Sequence, residues 1–327
     1  MNAVACDVLP KPSVSIRAAP ATTLALGLIG PGKVGSALLD QIAAAAPRLR
    51  RAGALDLRLR AILSTRFLLA DAHDLGTSWR DRGAEAVGND LDGFLRHLHA
   101  ARAPHAVILD CSGNDAIAAR YPQWLAAGIH LITPNKHAGA GPLDRYRAIR
   151  DAAACGDARF RYEATVGAGL PVISTLRDLL DTGDELHGVE GILSGTLAWL
   201  FNRHDGRVPF STLVREAHAL GYTEPDPRDD LSGIDVARKL VILAREAGMP
   251  LELANVEVES LVPDSLRRAD RDGFMQNLHM LDDIMAARLE SAQRGGGVLR
   301  YVARLDRAGH ASVGLVEMER THAFANS

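Results

Sequence analysis

Short apolar runs alternate with helical stretches in the first half of the chain, and this alternation predicts an α/β fold with a parallel sheet. Runs without internal polar positions are typical of parallel strands that are buried on both faces. The predicted strands cover residues 24–29, 57–63, 106–110, 129–132 and 160–164. Helices are predicted between them, ending at residue 46 and covering residues 116–127 and 141–154.

The second half of the chain has a different pattern, which predicts a separate α+β unit. Strands are predicted at 186–193 and 256–262, and residues 299–305 and 312–318 predict a β-hairpin. The predicted helices cover residues 171–180, 209–220, 234–247 and 274–293. Residues 1–20 contain three prolines and no periodicity, so we expect a mobile tail there.

The first predicted strand runs directly into a glycine-rich turn and then a helix, the context of a dinucleotide-binding fingerprint. One glycine allows the tight turn, the next lets the backbone approach a pyrophosphate, and the last lets the helix pack on the strand. The helix N-terminus attracts the phosphates. The expected cofactor-binding residues of this turn are Gly30, Gly32, Lys33, Val34 and Gly35.

Two further strand ends bear on the cofactor. Ser64, Thr65 and Arg66 follow the second strand, where NAD-selective domains usually place an acidic residue. An arginine beside two hydroxyls suits a 2′-phosphate, so we expect NADP, with NAD possible and a solvated Arg66 as the alternative. Cys111 and Ser112 follow the third strand and would admit a nicotinamide ribose, although an ordinary turn is the alternative.

Residues 221–239, GYTEPDPRDDLSGIDVARK, concentrate charged and hydrogen-bonding side chains. Asp235 and Lys239 lie four apart on a predicted helix, so a cleft there would hold a proton donor beside an anion. A solvated, salt-bridged helix face is the alternative that spacing alone favours. Of 37 basic residues only four are lysines, at positions 11, 33, 136 and 239. An ammonium can lose its proton where a guanidinium cannot, which favours a chemical role for Lys239.

Other segments predict binding surfaces around these lysines. Lys136 follows a parallel strand, so its side chain is expected at the ligand-binding edge of the sheet. Residues 194–196, Ser-Gly-Thr, open a helix and would offer backbone donors to an anionic group. The stiff loop before residue 228 displays Tyr222, Glu224 and Asp226. Glu163 and the carbonyls of the loop after it could hold a monovalent cation, with a helix-capping turn as the equal alternative.

Composition excludes several classes of protein. At 327 residues and 47% hydrophobic content, the chain can bury about two domain cores. The net charge of −3 argues against nucleic-acid and membrane-surface roles. Three cysteines without metal-type spacing are expected to be reduced thiols, and no apolar run approaches the ~20 residues that span a bilayer. We therefore expect a cytoplasmic protein.

Taken together, these motifs resemble homoserine dehydrogenase, from about Leu24 to the last residue. The matching segments are GPGKVG at 30–35, ITPNK at 132–136, EATVGAGLP at 163–171, ILSGT at 192–196 and the 221–239 segment. The resemblance implies reversible NAD(P)H-dependent reduction of L-aspartate 4-semialdehyde to L-homoserine, a step of threonine and methionine biosynthesis. It implies a Rossmann-type domain over residues 21–161 and a substrate-binding and dimerisation domain over 162–327, with a homodimer as the assembly.

The resemblance also implies roles for individual residues. Lys239 and Lys136 would be the proton-transfer and polarising lysines, and Asp235 would orient Lys239. Glu224 and Asp230 would bind the substrate amino group. The remaining polar atoms of the substrate would be bound by Tyr222, Gly195 and Thr196. A monovalent cation such as Na⁺ or K⁺ would be bound by Glu163 and the carbonyls of Val166, Ala168 and Leu170.

Two other functions remain open at this point. One is a two-domain oxidoreductase for another small aldehyde or hydroxy acid, and the other is a cofactor-binding module without catalysis. Family members continue beyond the HAFA segment at 322–325, and no aspartate kinase precedes the fingerprint, which would suit a monofunctional form or an excised half. From the short end we expect an exposed sheet edge at the hairpin and weak cofactor binding.

Overall fold

The computed structural model describes residues 21–52, 55–99 and 103–326. It divides into two compact units, one up to Val107 and one from Ile108 onward. The expected mobile tail, residues 1–20, lies outside the described residues. Within the described ranges, none of the helices is long and apolar enough to cross a membrane.

The first unit contains a four-stranded arrangement with helices packed against it. Its strands are β1 (Thr22–Ile29), β2 (Leu55–Leu63), β3 (Phe67–Ala70) and β4 (Val87–Gly88), and its helices are α1 (Lys33–Ala52) and α2 (Leu91–His99). β1 pairs in parallel with β2, while β2–β3 and β3–β4 are antiparallel. The parallel pair is buried as predicted, since Ala25, Leu28 and Ile62 have no exposed surface.

A glycine in β1 sets how closely α2 packs on the sheet. A Cβ on Gly27 would lie 2.5 Å from the ring of Phe94, which is fully buried on α2. Real carbon contacts lie near ~3.5–4.0 Å, so only glycine admits this aromatic ring. The packing of α2 thus depends on the absence of one side chain.

The second unit begins within β5 (His105–Asp110), which crosses the boundary between units. Its strands β6 (His130–Ile132) and β7 (Phe160–Arg161) pair in parallel. The helices around them are α3 (Asp115–Ala118), α4 (Tyr121–Ala126), α5 (Lys136–Ala140), α6 (Leu143–Cys155) and α7 (Val172–Asp181). Parallel strands joined through helices are the expected α/β pattern.

The rest of the second unit is a mixed four-stranded sheet covered by helices. The sheet has the order β8 (Gly188–Gly191), β10 (Gly297–Asp306), β11 (Ala311–Glu319), β9 (Glu257–Val258). The helices are α8 (Gly195–Arg203), α9 (Phe210–Ala219), α10 (Pro227–Leu231), α11 (Ile234–Glu246), α12 (Arg271–Gln276) and α13 (Asp282–Arg294). The chain therefore has the predicted α/β architecture, with a nucleotide-binding type of fold followed by an α+β part.

Two predicted helices are interrupted by identifiable side chains. The helix predicted at 116–127 is divided into α3 and α4, because Pro122 has no amide hydrogen and suits a helix start. The helix predicted at 274–293 ends at Gln276 and resumes at Asp282. At this end the side-chain amide of Asn277 donates to Gly273 O at 2.8 Å, beside the backbone bond from Asn277 N to the same oxygen at 3.2 Å.

One other expectation about local structure is wrong. Glu163 is predicted inside a strand, but β7 ends at Arg161 and Glu163 opens a short 3-10 turn. The edge expected at the hairpin is covered only in part, because β8 pairs with β10 from Ala303 to Asp306. β9 pairs with β11 at Ser312 and Val313 on the other side. Most of the segment 256–262, which is predicted as a strand, is irregular.

Candidate active site

A cavity of about 560 Å³ in the second unit collects most of the predicted catalytic side chains. Three segments line it: the turn after β5, the start of α5, and the chain from residue 224 to α11. The lining residues are Cys111, Ser112, Gly113, Pro134, Asn135, Lys136, His137, Glu224, Asp229, Asp230, Ser232, Ile234, Asp235 and Arg238. Residues separated by more than a hundred positions thus meet in one concave site, the usual form of a ligand pocket.

The start of α11 is fixed by the segment before it. Asp226 caps α10 by accepting from Arg228 N at 3.0 Å, and Pro227 occupies the first helical position, which needs no amide hydrogen. Gly233 then turns the chain with φ at 74°, and a Cβ there would lie 1.9 Å from Tyr301 Oη. Because only glycine fits both requirements, the direction of α11 is strictly set.

Asp235 lies between two ammonium groups from different helices. Lys239 Nζ lies 2.9 Å from Asp235 Oδ2, and Lys136 Nζ lies 3.1 Å from Asp235 Oδ1. Burial opposes ionisation of Asp235, but the attraction of Lys239 and Lys136 outweighs it and lowers the pKa of the carboxyl group. Asp235 therefore stays ionised and holds both ammonium groups in place.

Two of the three ammonium donors of Lys239 have partners within the part of the chain that the structure describes. An ammonium carries three N–H donors. Lys239 Nζ donates to Leu193 O at 2.6 Å as well as contacting Asp235, so two donors are occupied. Leu193 directly precedes the Ser194 cap of α8, which accepts from Leu197 N at 3.2 Å. Lys239 is not itself among the residues that line the cavity, and it contacts the cavity wall through Asp235.

The spacing of α5 and α11 sets the contact between Lys136 and Asp235. A Cβ on Gly139 of α5 would lie 2.8 Å from Ile242 Cγ1 of α11, so the glycine lets the two helices approach closely. The buried guanidinium of Arg245 donates to Gly139 O and Gly141 O, each at 2.7 Å. Burial lowers the pKa of Arg245, against the attraction of Glu252. These contacts hold α5, which carries Lys136, against α11, which carries Asp235.

Acidic side chains form another wall of the same cavity. Asp230 Oδ2 accepts from Glu224 N at 2.8 Å, and Thr196 Oγ1 donates to Tyr222 O at 2.7 Å. Burial raises the pKa of Asp230, and the negative charges of Glu224 and Asp235 add to the effect, while Glu224 N and Thr196 oppose it. A cation between Glu224 and Asp230 would relieve this strain.

The predicted substrate residues Tyr222, Gly195 and Thr196 are not among those that line the cavity, although Thr196 contacts both Tyr222 O and Asp230. Tyr222 is 51% exposed and packs edge-on against Trp199, with ring centroids 5.7 Å apart. Gly195 opens α8, and a Cβ on it would meet no atom within 4 Å, so there is open space beside its Cα. Asp226 does not line the cavity either; its carboxylate pairs with Arg228, which lowers the pKa of Asp226. The expected display of Asp226 is therefore wrong.

The glycine-rich turn of the first unit has the geometry that its sequence predicted. Gly30 has φ at 84° and donates to Leu63 O at 2.9 Å. A Cβ on Gly35 would lie 2.3 Å from Gly30 O, whereas a Cβ on Gly32 would meet nothing within 4 Å. Lys33 and Val34 are exposed at the start of α1. The close packing and the open backbone are what a dinucleotide needs.

The residues after β2 form a turn with one exposed cation. The hydroxyl of Ser64 accepts from Arg66 N at 3.1 Å and Phe67 N at 3.0 Å, so it serves the turn. Asn89, which sequence reasoning missed, donates its amide to Ser64 O. Thr65 and Arg66 are exposed. Arg66 is thus accessible to a phosphate, whereas Ser64 has less freedom than expected.

The turn after β5 places a thiol in the cavity. Burial raises the pKa of Cys111 to about 11, with a smaller contribution from Asp110. The thiol is therefore neutral at ordinary pH, and Ser112 N donates to Asp110 Oδ1 at 2.8 Å. A neutral, small-residue turn leaves room for a ligand close to the backbone.

The carboxylate of Glu163 caps a helix. Its oxygens accept from Ile173 N at 2.8 Å and Ser174 N at 3.0 Å at the start of α7. Gly167 and Ala168 have φ at 77° and 52°, which turns the loop sharply. Val166 N donates to Glu163 O, and Val172 N donates to Leu170 O. The Glu163 carboxylate thus caps α7, which is the alternative that the sequence offered. These contacts do not involve the backbone carbonyls of the loop.

Comparison with known proteins gives the family. A family model described as homoserine dehydrogenase matches residues 171–327, and one described as homoserine dehydrogenase, NAD binding domain, matches residues 30–163. A homoserine dehydrogenase of Emericella nidulans is 40% identical over 322 residues, covering 92% of this chain and 85% of that protein. The chain belongs to the homoserine dehydrogenase family.

Other relatives are longer proteins. A chloroplastic bifunctional aspartokinase/homoserine dehydrogenase 1 of Zea mays is 46% identical over 313 residues, covering 93% of this chain but 34% of that protein. The chain thus spans about a third of the length of such bifunctional relatives. Among solved structures, a Candida auris protein of unknown function has a TM-score of 0.82 at 35% identity, covering 93% and 86% of the two chains.

Sequence reasoning missed several side chains that line the cavity. His137 and Arg238 lie beside the lysines, and burial lowers the pKa of His137, with Arg238 adding to the effect. Asn135 accepts from His137 N at 3.0 Å and so caps α5. The Asn-Lys pair after a strand was a signal for that cap, since asparagine is favoured at the N-cap.

Proposed function

We propose that the chain catalyses the reversible NAD(P)H-dependent reduction of L-aspartate 4-semialdehyde to L-homoserine. The observation that carries this proposal is the Asp235 carboxylate between Lys136 and Lys239, in a cavity that also contains Glu224 and Asp230. Ammonium donors suit a developing alkoxide, and paired carboxylates suit a substrate amine. Membership of the family adds the reaction type.

The residues of the first unit fit the cofactor. Gly30, Gly32 and Gly35 would cradle its pyrophosphate, because the turn is tight and its backbone is open. The exposed guanidinium of Arg66 would pair with a 2′-phosphate, which supports a preference for NADP over NAD. The nicotinamide, when bound, supplies the hydride for the aldehyde carbon. Cys111 and Ser112 would lie along its ribose.

The side chains of the cavity would bind and protonate the substrate. Glu224 and Asp230 bind the amino group, while Tyr222, Gly195 and Thr196 bind the remaining polar atoms. Lys136 polarises the aldehyde oxygen, and Lys239 donates a proton to that oxygen through its remaining N–H. Asp235 keeps both lysines oriented and compensates their charge.

Several finer assignments belong to the same proposal. We assign residues 21–161 to nucleotide binding and 162–327 to substrate binding and dimerisation, in a cytoplasmic homodimer. Glu163 and the carbonyls of Val166, Ala168 and Leu170 would hold a monovalent cation such as Na⁺ or K⁺. The sharp turn at Gly167 and Ala168 is the feature that supports this site.

The test compares substrates that differ by the amino group alone. We expect NADP⁺ reduction with L-homoserine to exceed that with 4-hydroxybutanoate by at least about 10² in kcat/KM, because the analogue leaves Glu224 and Asp230 without a cation. Glu224→Gln should lower this ratio of the two kcat/KM values. Equal rates for the two alcohols would refute the proposed substrate and favour an oxidoreductase for another hydroxy acid. Cofactor binding without turnover of either alcohol would favour a binding module.

A further inference from the structure

A completely buried carboxylate lies behind the cavity at the end of β5. Asp110 has 0% exposure, and three neutral donors serve its carboxylate. Ser112 N donates to Oδ1 at 2.8 Å, Asn135 Nδ2 donates to Oδ2 at 3.1 Å, and the hydroxyl of Tyr121 donates to Oδ2. Burial and the negative charge of Asp110 raise the pKa of Tyr121, so the phenol stays a donor.

Burial of an anion among neutral donors is unfavourable unless the hydrogen bonds are complete. Removing a carboxylate from water costs several kcal/mol, and an apolar side chain would fill the same space at lower cost. The three donors come from three different segments, namely the turn after β5, α4 and the residue before α5. Asp110 therefore joins segments that an apolar side chain could not hold in one arrangement.

One side of this cluster leads to Lys136. Thr133 Oγ1 donates to Asp110 O at 2.7 Å and accepts from Asn135 N at 2.9 Å, so Asn135 is held through backbone and side chain. Asn135 Oδ1 accepts from His137 N and caps α5, whose first residue is Lys136. The other side of the cluster, through Ser112 N, fixes the cavity turn at residues 111–113.

We propose that Asp110 is a positioning residue that holds Lys136 on Asp235 and the 111–113 turn in one arrangement. The proposal rests on the proposed function only for its consequence, namely that this arrangement sets the rate of proton transfer. Asp110 touches no substrate atom and acts through Asn135 and Ser112. Replacing it should change kcat while the binding of the substrate amine at Glu224 and Asp230 is kept.

The decisive variant is Asp110→Asn. Each carboxylate oxygen of Asp110 accepts from a donor, so an amide nitrogen at either place opposes a donor and breaks one side of the cluster. We expect kcat with L-homoserine to fall about 10- to 100-fold, with KM for homoserine changed less than about 3-fold, as for a misplaced catalytic group. The double variant Asp110→Asn/Asn135→Asp restores a donor–acceptor pair and should recover part of kcat.

A matched control removes a structural carboxylate elsewhere in the same unit. Asp282 accepts from Ser211 N at 2.7 Å and Ser211 Oγ at 2.8 Å and does not line the cavity. Asp282→Asn should lower thermal stability and leave kcat unchanged. If Asp110→Asn fails to fold, Tyr121→Phe removes a single donor and should give a smaller decrease in kcat with the same unchanged KM.

A second readout does not depend on activity. The chain has four lysines, at positions 11, 33, 136 and 239, so ¹³C-labelled lysine gives few NMR signals, which Lys136→Arg assigns. Asp110→Asn should shift the Lys136 signal, and Asp282→Asn should not. An unmoved Lys136 signal overturns the positioning role, as does a shifted signal with unchanged kcat. An inactive wild-type chain refutes the proposed function instead, and the NMR comparison then decides the positioning claim alone.

Discussion

Substitution of Gly139 by alanine should separate α5 from α11 and thereby misplace Lys136. The added Cβ would lie 2.8 Å from Ile242 Cγ1, about 0.7 Å inside an ordinary carbon contact of ~3.5 Å. Ile242 is 1% exposed, so its side chain cannot move into solvent. Relief must come from a shift of α5, which carries the Lys136 ammonium 3.1 Å from Asp235.

The expected magnitudes follow from that overlap. Overpacking costs about 1–3 kcal/mol, and the better helix propensity of alanine offsets about 0.5–1 kcal/mol of it. A misplacement near ~1 Å costs about 10² in rate, so we expect kcat for homoserine oxidation to fall roughly 10- to 100-fold. Circular dichroism and thermal unfolding would show a folded protein with modestly reduced stability.

Two further variants test whether the spacing of α5 and α11 sets kcat. Gly295→Ala is the matched control, because the added Cβ would meet no atom closer than 3.5 Å. This variant should leave kcat unchanged. Gly139→Ala/Ile242→Ala removes the obstructing atoms and should restore much of kcat, although the loss of apolar volume lowers stability. Wild-type kcat in Gly139→Ala would refute the claim that helix spacing sets the lysine contact.

Two predictions concern the cofactor and the buried histidine. Arg66→Ala should weaken NADPH binding about 10- to 100-fold relative to NADH binding, which is the contribution of one charge-assisted hydrogen bond. Titration of cofactor fluorescence measures both affinities. Arg48 is also exposed, and Arg48→Ala should change neither the NADPH affinity nor the NADH affinity. Burial lowers the pKa of His204 below its unfolded value near ~6.5, so the unfolded state binds more protons and stability rises with pH. The His204 contribution is complete above pH ~6.5 and is lost as the pH falls through and below that value. Urea unfolding of wild type and His204→Phe at two pH values should show a weaker pH dependence in the variant.

Specific outcomes would contradict each of these. Equal loss of NADPH and NADH affinity in Arg66→Ala would mean that the guanidinium does not recognise the 2′-phosphate. The same loss of unfolding free energy on acidification in wild type and His204→Phe would mean that His204 titrates alike in the folded and unfolded states. His137 also has a lowered pKa, but both proteins keep it, so it cancels in the comparison.

Elements with strong local signals were predictable from the sequence. β1 and the following glycine turn, α11 and the hairpin of β10 and β11 lie close to their predicted positions, because each has a clear period and clear end signals. α5 was missed, since five residues between prolines show no helical period. Asp226 was misassigned because its cap on α10 depends on the turn before Pro227.

The site itself was predictable in its residues but not in its contacts. Sequence spacing places Asp235 beside Lys239, yet spacing alone favours a solvated, salt-bridged helix face. The contact of Lys136 with Asp235 joins residues 99 positions apart in the chain and depends on Gly139 and Arg245, which sequence reasoning did not single out. Side chains that serve neighbouring segments, such as Asp110 and Asn135, give no periodic signal.

The rate of Lys239→Arg at saturating NADPH and L-aspartate 4-semialdehyde tests the central claim most directly. The variant keeps a positive charge beside Asp235, but a guanidinium does not release its proton at ordinary pH. Because proton donation contributes about 10² to 10⁴ in rate, we predict that kcat falls by at least about 10² in a folded protein. A Lys239→Arg variant with most of the wild-type kcat would contradict proton donation by Lys239 and leave charge alone as its contribution.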